Sequence, residues 1–252
     1  MQRMPNINLT PEEYQIMTTY CHYGTGGEGI ICRSQRPDTL YKIFVDYETI
    51  TPTGLPDNKY KKILELYERR LKGSVHPLST VSLNDELIGY EMTFDEDDMT
   101  LDKIFLFRGS LIKALQDTSE ILKYFASEDI TYGDVKANNI LINRRTHEAK
   151  FCDMDNVRMG DYPIDLLSDH VDSFITTEAD INATVDAYMH NLMTLQYLND
   201  PTASYDKILS NIKEGKYKRA YKKEARPTLA SMPIPEQFTG EYLAPYVKKL
   251  RL

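Results

Sequence analysis

Cysteine is scarce: 252 residues contain only Cys21, Cys32 and Cys152, and no two of them have the two-residue spacing of a metal knuckle. An odd, scattered set of this kind suggests neither a disulfide framework nor a zinc site, and reads as a reduced intracellular chain. Long apolar runs are missing too. No window approaches the roughly 18 apolar residues of a membrane span, and the opening MQRMPNINLTPEEYQ has no apolar stretch of the signal-peptide kind. A soluble, cytoplasmic protein without membrane partners is expected. Basic residues are in deficit: 30 Lys and Arg against 38 Asp and Glu give a net charge of −8, which repels nucleic acid and anionic surfaces. Internal repeats and low-complexity tracts are absent.

In the first third, short β-favouring segments at 16–23, 30–34 and 40–45 are separated by Gly-rich or Pro/Asp turns, predicting an antiparallel sheet. Thr10-Pro11-Glu12-Glu13 carries the cap, first-turn proline and N3 glutamate of a short helix. In NKYKKILELYERRL, Ile63, Leu64, Tyr67 and Leu71 recur at helical spacing, predicting one amphipathic helix over 58–71 among the strands. Strands are expected at 81–83 and 87–93, and the acidic run Asp95 to Asp98 then breaks the apolar pattern. The division is placed there, giving a mostly β unit over 1–94 and a mostly α unit over 95–252. The second unit is expected to hold helices at 111–125, 184–198, 205–212 and 241–250 and a short hairpin from 140–143 and 149–152. The fold class is α+β.

Four groups of residues point to chemistry. In GTGGEG, Gly24, Gly26 and Gly29 would let backbone amides approach phosphate oxygens; the following IICRSQ reads as a returning strand, which favours a glycine hairpin over a dinucleotide-binding turn. Lys42 lies between apolar residues on a predicted strand. A buried lysine needs a carboxylate to stay charged; the helix offers Glu65 and Glu68, of which Glu68 is preferred. In ITYGDVKANNILIN, Asp134, Lys136 and Asn139 put a proton acceptor, a phosphate-binding cation and a magnesium ligand on one tight loop. Finally, AKFCDMDN ends a strand at Asp153, which the hairpin returns beside Asn139, and two such oxygen ligands suit magnesium.

Taken in order, these residues resemble the eukaryotic-like protein kinase superfamily from about Tyr23 to Leu198. The resemblance implies a bilobal fold and an ATP- and Mg2+-dependent Ser/Thr protein kinase acting on a protein substrate. It implies that Gly24, Gly26 and Gly29 cover the phosphates, that Ile31 lies over the adenine, and that Lys42 pairs with Glu68. It makes Tyr90 the gatekeeper, Glu91 and Met92 the adenine-contacting segment, and Asp97 the contact to the ribose. Asp134 is implied as the catalytic base, Lys136 as the phosphate-contacting lysine, Asn139 and Asp153 as the metal ligands, and Asp186 as the brace of the catalytic-loop backbone. Three departures stand out. Tyr132-Gly133 replaces the usual His-Arg, so a phosphorylated activation loop would have no basic partner there. Asp-Met-Asp at 153–155 replaces Asp-Phe-Gly, adding Asp155 as a carboxylate. The stretch after Met154 lacks a clear Ala-Pro-Glu, Glu178 being its nearest stand-in. Small-molecule kinases of the aminoglycoside or choline kinase kind, and an ATP-binding pseudokinase scaffold, are the alternative expectations.

Overall fold

The computed structural model describes residues 3–26, 28–46, 51–164 and 183–213. These residues form a mixed α+β structure with one seven-stranded sheet, two small sheets and five α-helices. The chain divides into two compact units, Met1–Asp98 and Met99–Leu252. The acidic run expected to open the second unit thus closes the first.

In the first unit, β1 (Asn6–Leu9) pairs in parallel with β6 (Pro77–Leu83), which continues antiparallel through β7 (Glu86–Thr93), β4 (Thr39–Asp46), β3 (Gly29–Arg33) and β2 (His22–Gly26). The two-residue β5 (Thr51–Pro52) adds to β4. The sheet is therefore mixed rather than purely antiparallel, because β1 enters beside β6 in the same direction. The expected strand over 16–23 is instead the end of a helix, α1 (Pro11–Tyr20). Thr10 Oγ1 accepts from the Glu13 amide at 3.2 Å and Glu13 Oε2 accepts from the Thr10 amide at 2.8 Å. This reciprocal cap, with Pro11 in the first turn, commits the chain to helix; His22 then begins the strand.

Strand alternation gives the sheet two different faces. Leu9, Ile30, Cys32, Tyr41, Ile43, Val45 and Val81 form a core under Met17 and Tyr14 of α1. On the opposite face, Phe44 and Tyr90 pack with Met4 and with Ile63 of α2 (Asp57–Arg69). Each helix covers one side.

In the second unit, α3 (Arg108–Ser127) leads to β9 (Ile130–Thr131), then to β10 (Ile140–Asn143) and β11 (Ala149–Phe151), which pair as the expected hairpin. The strand β8 (Asp98–Thr100) runs beside β10, and β12 (Arg158–Met159) pairs with β9. Two helices follow, α4 (Ala183–Asn199) and α5 (Tyr205–Lys213). Val185, Met189, Leu192 and Met193 of α4 are fully buried, as are Leu115, Leu122 and Phe125 of α3. The helix expected at 241–250 lies outside the described residues. No helix among the described residues is long and apolar enough to cross a membrane.

Candidate functional site

In the first unit the sheet register gathers Gly24, Gly26, Gly29, Ile31, Lys42 and Met92, of the expected nucleotide-contacting residues, on one face. Gly24 opposes Ile31, Gly26 opposes Gly29, Ile31 opposes Lys42, Gly29 opposes Phe44, and Lys42 opposes Tyr90. Directly opposed residues share a face, so both hairpin strands, Lys42 and the Tyr90 position all look toward the α2 side. Met92, opposite Leu40, belongs to the same side. Gly29 is required by close approach, since a Cβ there would lie 2.2 Å from the Ile43 carbonyl oxygen. A Cβ at Gly24 would meet nothing within 4 Å; its backbone borders open space.

Lys42 is only 4 % exposed, with Nζ 5.4 Å from the centre of the Phe44 ring. The partner expected for it is poorly placed. Glu68 is exposed, and Glu65 is bound by Arg69 at 2.5 Å one turn along α2. The side of α2 turned inward carries Lys59, Lys62, Ile63 and Leu66. The preference for Glu68 rests on its spacing from the end of the helix, whereas helical phase sets which side chains reach the sheet.

Glu91 is displaced from the role expected of it. Opposite Tyr41, it belongs to the α1 face, the reverse of Lys42's. Its carboxylate is fully buried and is held by the Arg36 guanidinium, Ser34 Oγ at 2.9 Å and Thr39 Oγ1 at 3.0 Å. A buried charge needs this much compensation, and here it pins the β3–β4 turn to β7. Asp97 lies in a tight turn, where its amide donates to Asp95 Oδ1 at 2.9 Å.

The second unit holds the acidic loop. Asp134 is buried, and Oδ2 accepts from Lys136 Nζ at 2.5 Å and from Asn139 Nδ2 at 2.9 Å. Burial raises the Asp134 carboxyl above the usual carboxylate range, and these two donors partly oppose it. Asn139 also donates to the Asp134 carbonyl at 3.1 Å, which leaves its amide oxygen as the atom for a cation. Its own carbonyl accepts from the Cys152 amide at 3.0 Å, continuing the β10–β11 ladder, so the chain reaches Asp153 right beside Asn139. Asp153 adopts a left-handed conformation, φ 59° and ψ 37°, and accepts from Asn156 Nδ2 at 3.0 Å. Magnesium is ordinarily held by one or two protein oxygens, with waters and phosphates completing its shell; Asn139 and Asp153 fit that demand. Among the described residues no group of three or more His, Cys, Asp or Glu side chains is arranged to hold a metal ion.

The brace is where the resemblance places it. Asp186 on α4 accepts from the Tyr132 amide at 2.7 Å and from the Gly133 amide at 2.6 Å. Burial pushes its carboxyl up to about 7, against the pull of those two amides and of Arg158. Gly133 has φ 82°, which an arginine would adopt only under strain. Glycine at this position thus meets the loop's backbone conformation without strain. Tyr132 packs on Phe151, ring centres 4.7 Å apart, and its hydroxyl donates to the Cys152 carbonyl, which ties the Asp134 loop to the approach to Asp153. Asp155 is fully buried, a poor position for a second metal carboxylate. Sequence reasoning did not single out Tyr132's hydroxyl or Tyr205, the latter a half-buried tyrosine at the start of α5 on which the Asp134 charge acts. A tyrosine preceding the loop glycine was the available signal for the first; nothing local marked the second. Glu178 lies outside the described residues.

No family model matches the chain, and no curated protein matches its sequence.

Proposed function

We propose that this chain is an ATP- and magnesium-dependent phosphotransferase of bilobal, protein-kinase-like design, acting in the cytoplasm on serine or threonine hydroxyls of a protein substrate. The observation that supports this most is the loop from Tyr132 to Asn139. Its backbone hangs from Asp186, its buried carboxylate faces Lys136 and Asn139, and its last residue hands the chain over to Asp153. Ordinary turn formers need none of that convergence.

ATP supplies the transferable phosphoryl group and magnesium the charge that neutralises its oxygens. Asp134 accepts the proton of the substrate hydroxyl as that oxygen bonds to the terminal phosphorus and the bond to the bridging oxygen breaks, leaving ADP. Burial raises the proton affinity of Asp134, which favours its taking up that proton. Lys136, 2.5 Å from Asp134, would hold the transferred group, while Asn139 and Asp153 would hold the metal. Gly24, Gly26, Gly29 and Lys42 would bind the phosphates, with Ile31 and Met92 beside the base. Positioning and charge neutralisation carry most of the rate in such a site.

The test is phosphosite mass spectrometry of the chain incubated with Mg-ATP and a generic basic protein, alongside Asp153→Ala and Asp134→Asn. Phosphate on Ser or Thr with the parent chain, none with either variant, and ATP binding kept by Asp134→Asn are expected. ATP turnover without phosphoprotein would move the assignment to a small-molecule kinase, and ATP binding without turnover to a scaffold.

A further inference from the structure

Lysine is among the residues least often fully buried, yet the first unit buries three on one face: Lys42 at 4 %, Lys59 at 7 % and Lys62 at 1 % exposure. In α2 the inward positions 59, 62, 63 and 66 follow one helical stripe. Two places where a core would take leucine carry cations instead. They face the side of the sheet that carries the glycine hairpin and Lys42. Lys59 Nζ lies 5.0 Å from the Phe44 ring centre and Lys42 Nζ 5.4 Å from the same centre, so the two ammonium groups are both gathered around one ring. Lys59 is also gripped from above: Glu28, in the turn between Gly26 and Gly29, reaches its Nζ at 2.5 Å.

We propose that Lys59 is a second phosphate-binding cation beside Lys42, and that Glu28 is a carboxylate stand-in that occupies its ammonium until a nucleotide polyphosphate displaces it. The proposal rests on the nucleotide-binding reading above. Glu28 sits at the part of the hairpin expected over the phosphates and presents the same kind of atom, a negatively charged oxygen. A polyphosphate brings more charge and several oxygens, enough to engage both lysines at once, which one carboxylate cannot do. While Glu28 holds Lys59, the ion pair links the residue before β3 to α2, and a polyphosphate that takes over Lys59 would release it.

Calorimetric titration of the full chain with Mg-ATP, inorganic tripolyphosphate and AMP tests this, using Glu28→Gln, Lys59→Met, Lys42→Met and, as a control, the exposed Lys61→Met. Removing the competitor should tighten ATP and tripolyphosphate by about two- to five-fold, the size of a partly exposed ion pair, and leave AMP unchanged. Lys59→Met should weaken ATP and tripolyphosphate by about ten-fold or more, the range of a charge-assisted contact, and Lys61→Met should change nothing. If Lys59→Met fails to fold, Glu28→Gln decides alone. Unchanged or weaker polyphosphate binding by Glu28→Gln, or an equal change for AMP, overturns the proposal. If the parent chain binds ATP and Lys42→Met loses it while Glu28→Gln shows no gain, only this inference falls. If the parent binds neither ATP nor tripolyphosphate, the nucleotide reading falls and takes this one with it.

Discussion

In the second unit the charged side chains are fixed by backbone: Asp186 takes the amides of Tyr132 and Gly133, and Asn139 is anchored through its carbonyl to Cys152. In the first unit they are fixed by faces. Lys42 and Lys59 reach a common ring because strand alternation and helical phase turn them the same way, and Glu91 is carried to the opposite side by the same alternation. A backbone-held site depends on a few residues within one loop and fails sharply when its anchor is removed. A face-held site is spread over elements distant in sequence and yields by degrees.

The sharpest way to break that contrast is Asp186→Ala. Two buried amides would lose their acceptor, at a cost of about 2 to 4 kcal/mol in unfolding free energy, and the Asp134 loop would lose its anchor. Phosphate transfer should vanish, while nucleotide binding through the first unit should decline far less. Urea unfolding together with ATP titration measures both. Transfer surviving in a folded Asp186→Ala chain would show that the loop holds itself.

The same contrast explains what could be read in advance. The convergence of Asp134, Lys136, Asn139 and Asp153, and the hold of Asp186 on the loop backbone, were legible because short spacings and a hairpin whose strands are plain in the sequence bring these residues together. The glycine hairpin, Lys42 and most strands were legible for similar reasons. Glu68 and Glu91 were not. Whether a glutamate looks toward Lys42 depends on the phase of α2 and the register of β7, and a shift of one residue reverses a strand's faces. The strand expected over 16–23 yielded to the upstream cap formed by Thr10 and Glu13, whose reach along the helix exceeded the local β preference of Ile16 to Tyr23. The parallel β1 is hidden by its two asparagines, Asn6 and Asn8, a residue type that favours turns over strands.

A second pair of variants sharpens the contrast within the second unit, where α4 carries two buried groups shifted in opposite directions. Asp186 rises from 3.8 to about 7, and His190, buried and bonded to the Leu115 carbonyl, falls from 6.5 to about 4. Where Asp186 is protonated in the folded chain and ionised in the unfolded one, stability falls as pH rises from 3.8 toward 7. Where His190 is neutral in the folded chain and charged in the unfolded one, stability rises with pH from about 4 to 6.5. Over the shared window the two slopes oppose, each about 1.4 kcal/mol per pH unit. The parent chain should therefore show little pH dependence from this pair. Asp186→Asn should expose a stability that climbs with pH, and His190→Gln one that declines. Denaturant midpoints measured from about pH 4 to 6.5 check the sign, and the same slope in both variants would refute the opposition.

The smallest effect belongs to the face-held site. Gly29 and Gly24 both lie on the hairpin, but only Gly29 is crowded, with the Ile43 carbonyl oxygen 2.2 Å from where a Cβ would stand. Gly29→Ala must push β3 from β4 and should cost about 1 to 3 kcal/mol, the range for overpacking. Gly24→Ala meets nothing within 4 Å and should change stability by less than about 0.5 kcal/mol. Its consequence should appear only with ligand, as weaker ATP binding, since a phosphate approaching the hairpin backbone needs the space that the new methyl group fills. Thermal unfolding with and without Mg-ATP separates the two. A Gly24→Ala chain as stable as its parent but unable to gain stability from ATP would place the phosphates at this strand, and an undiminished gain would move them elsewhere.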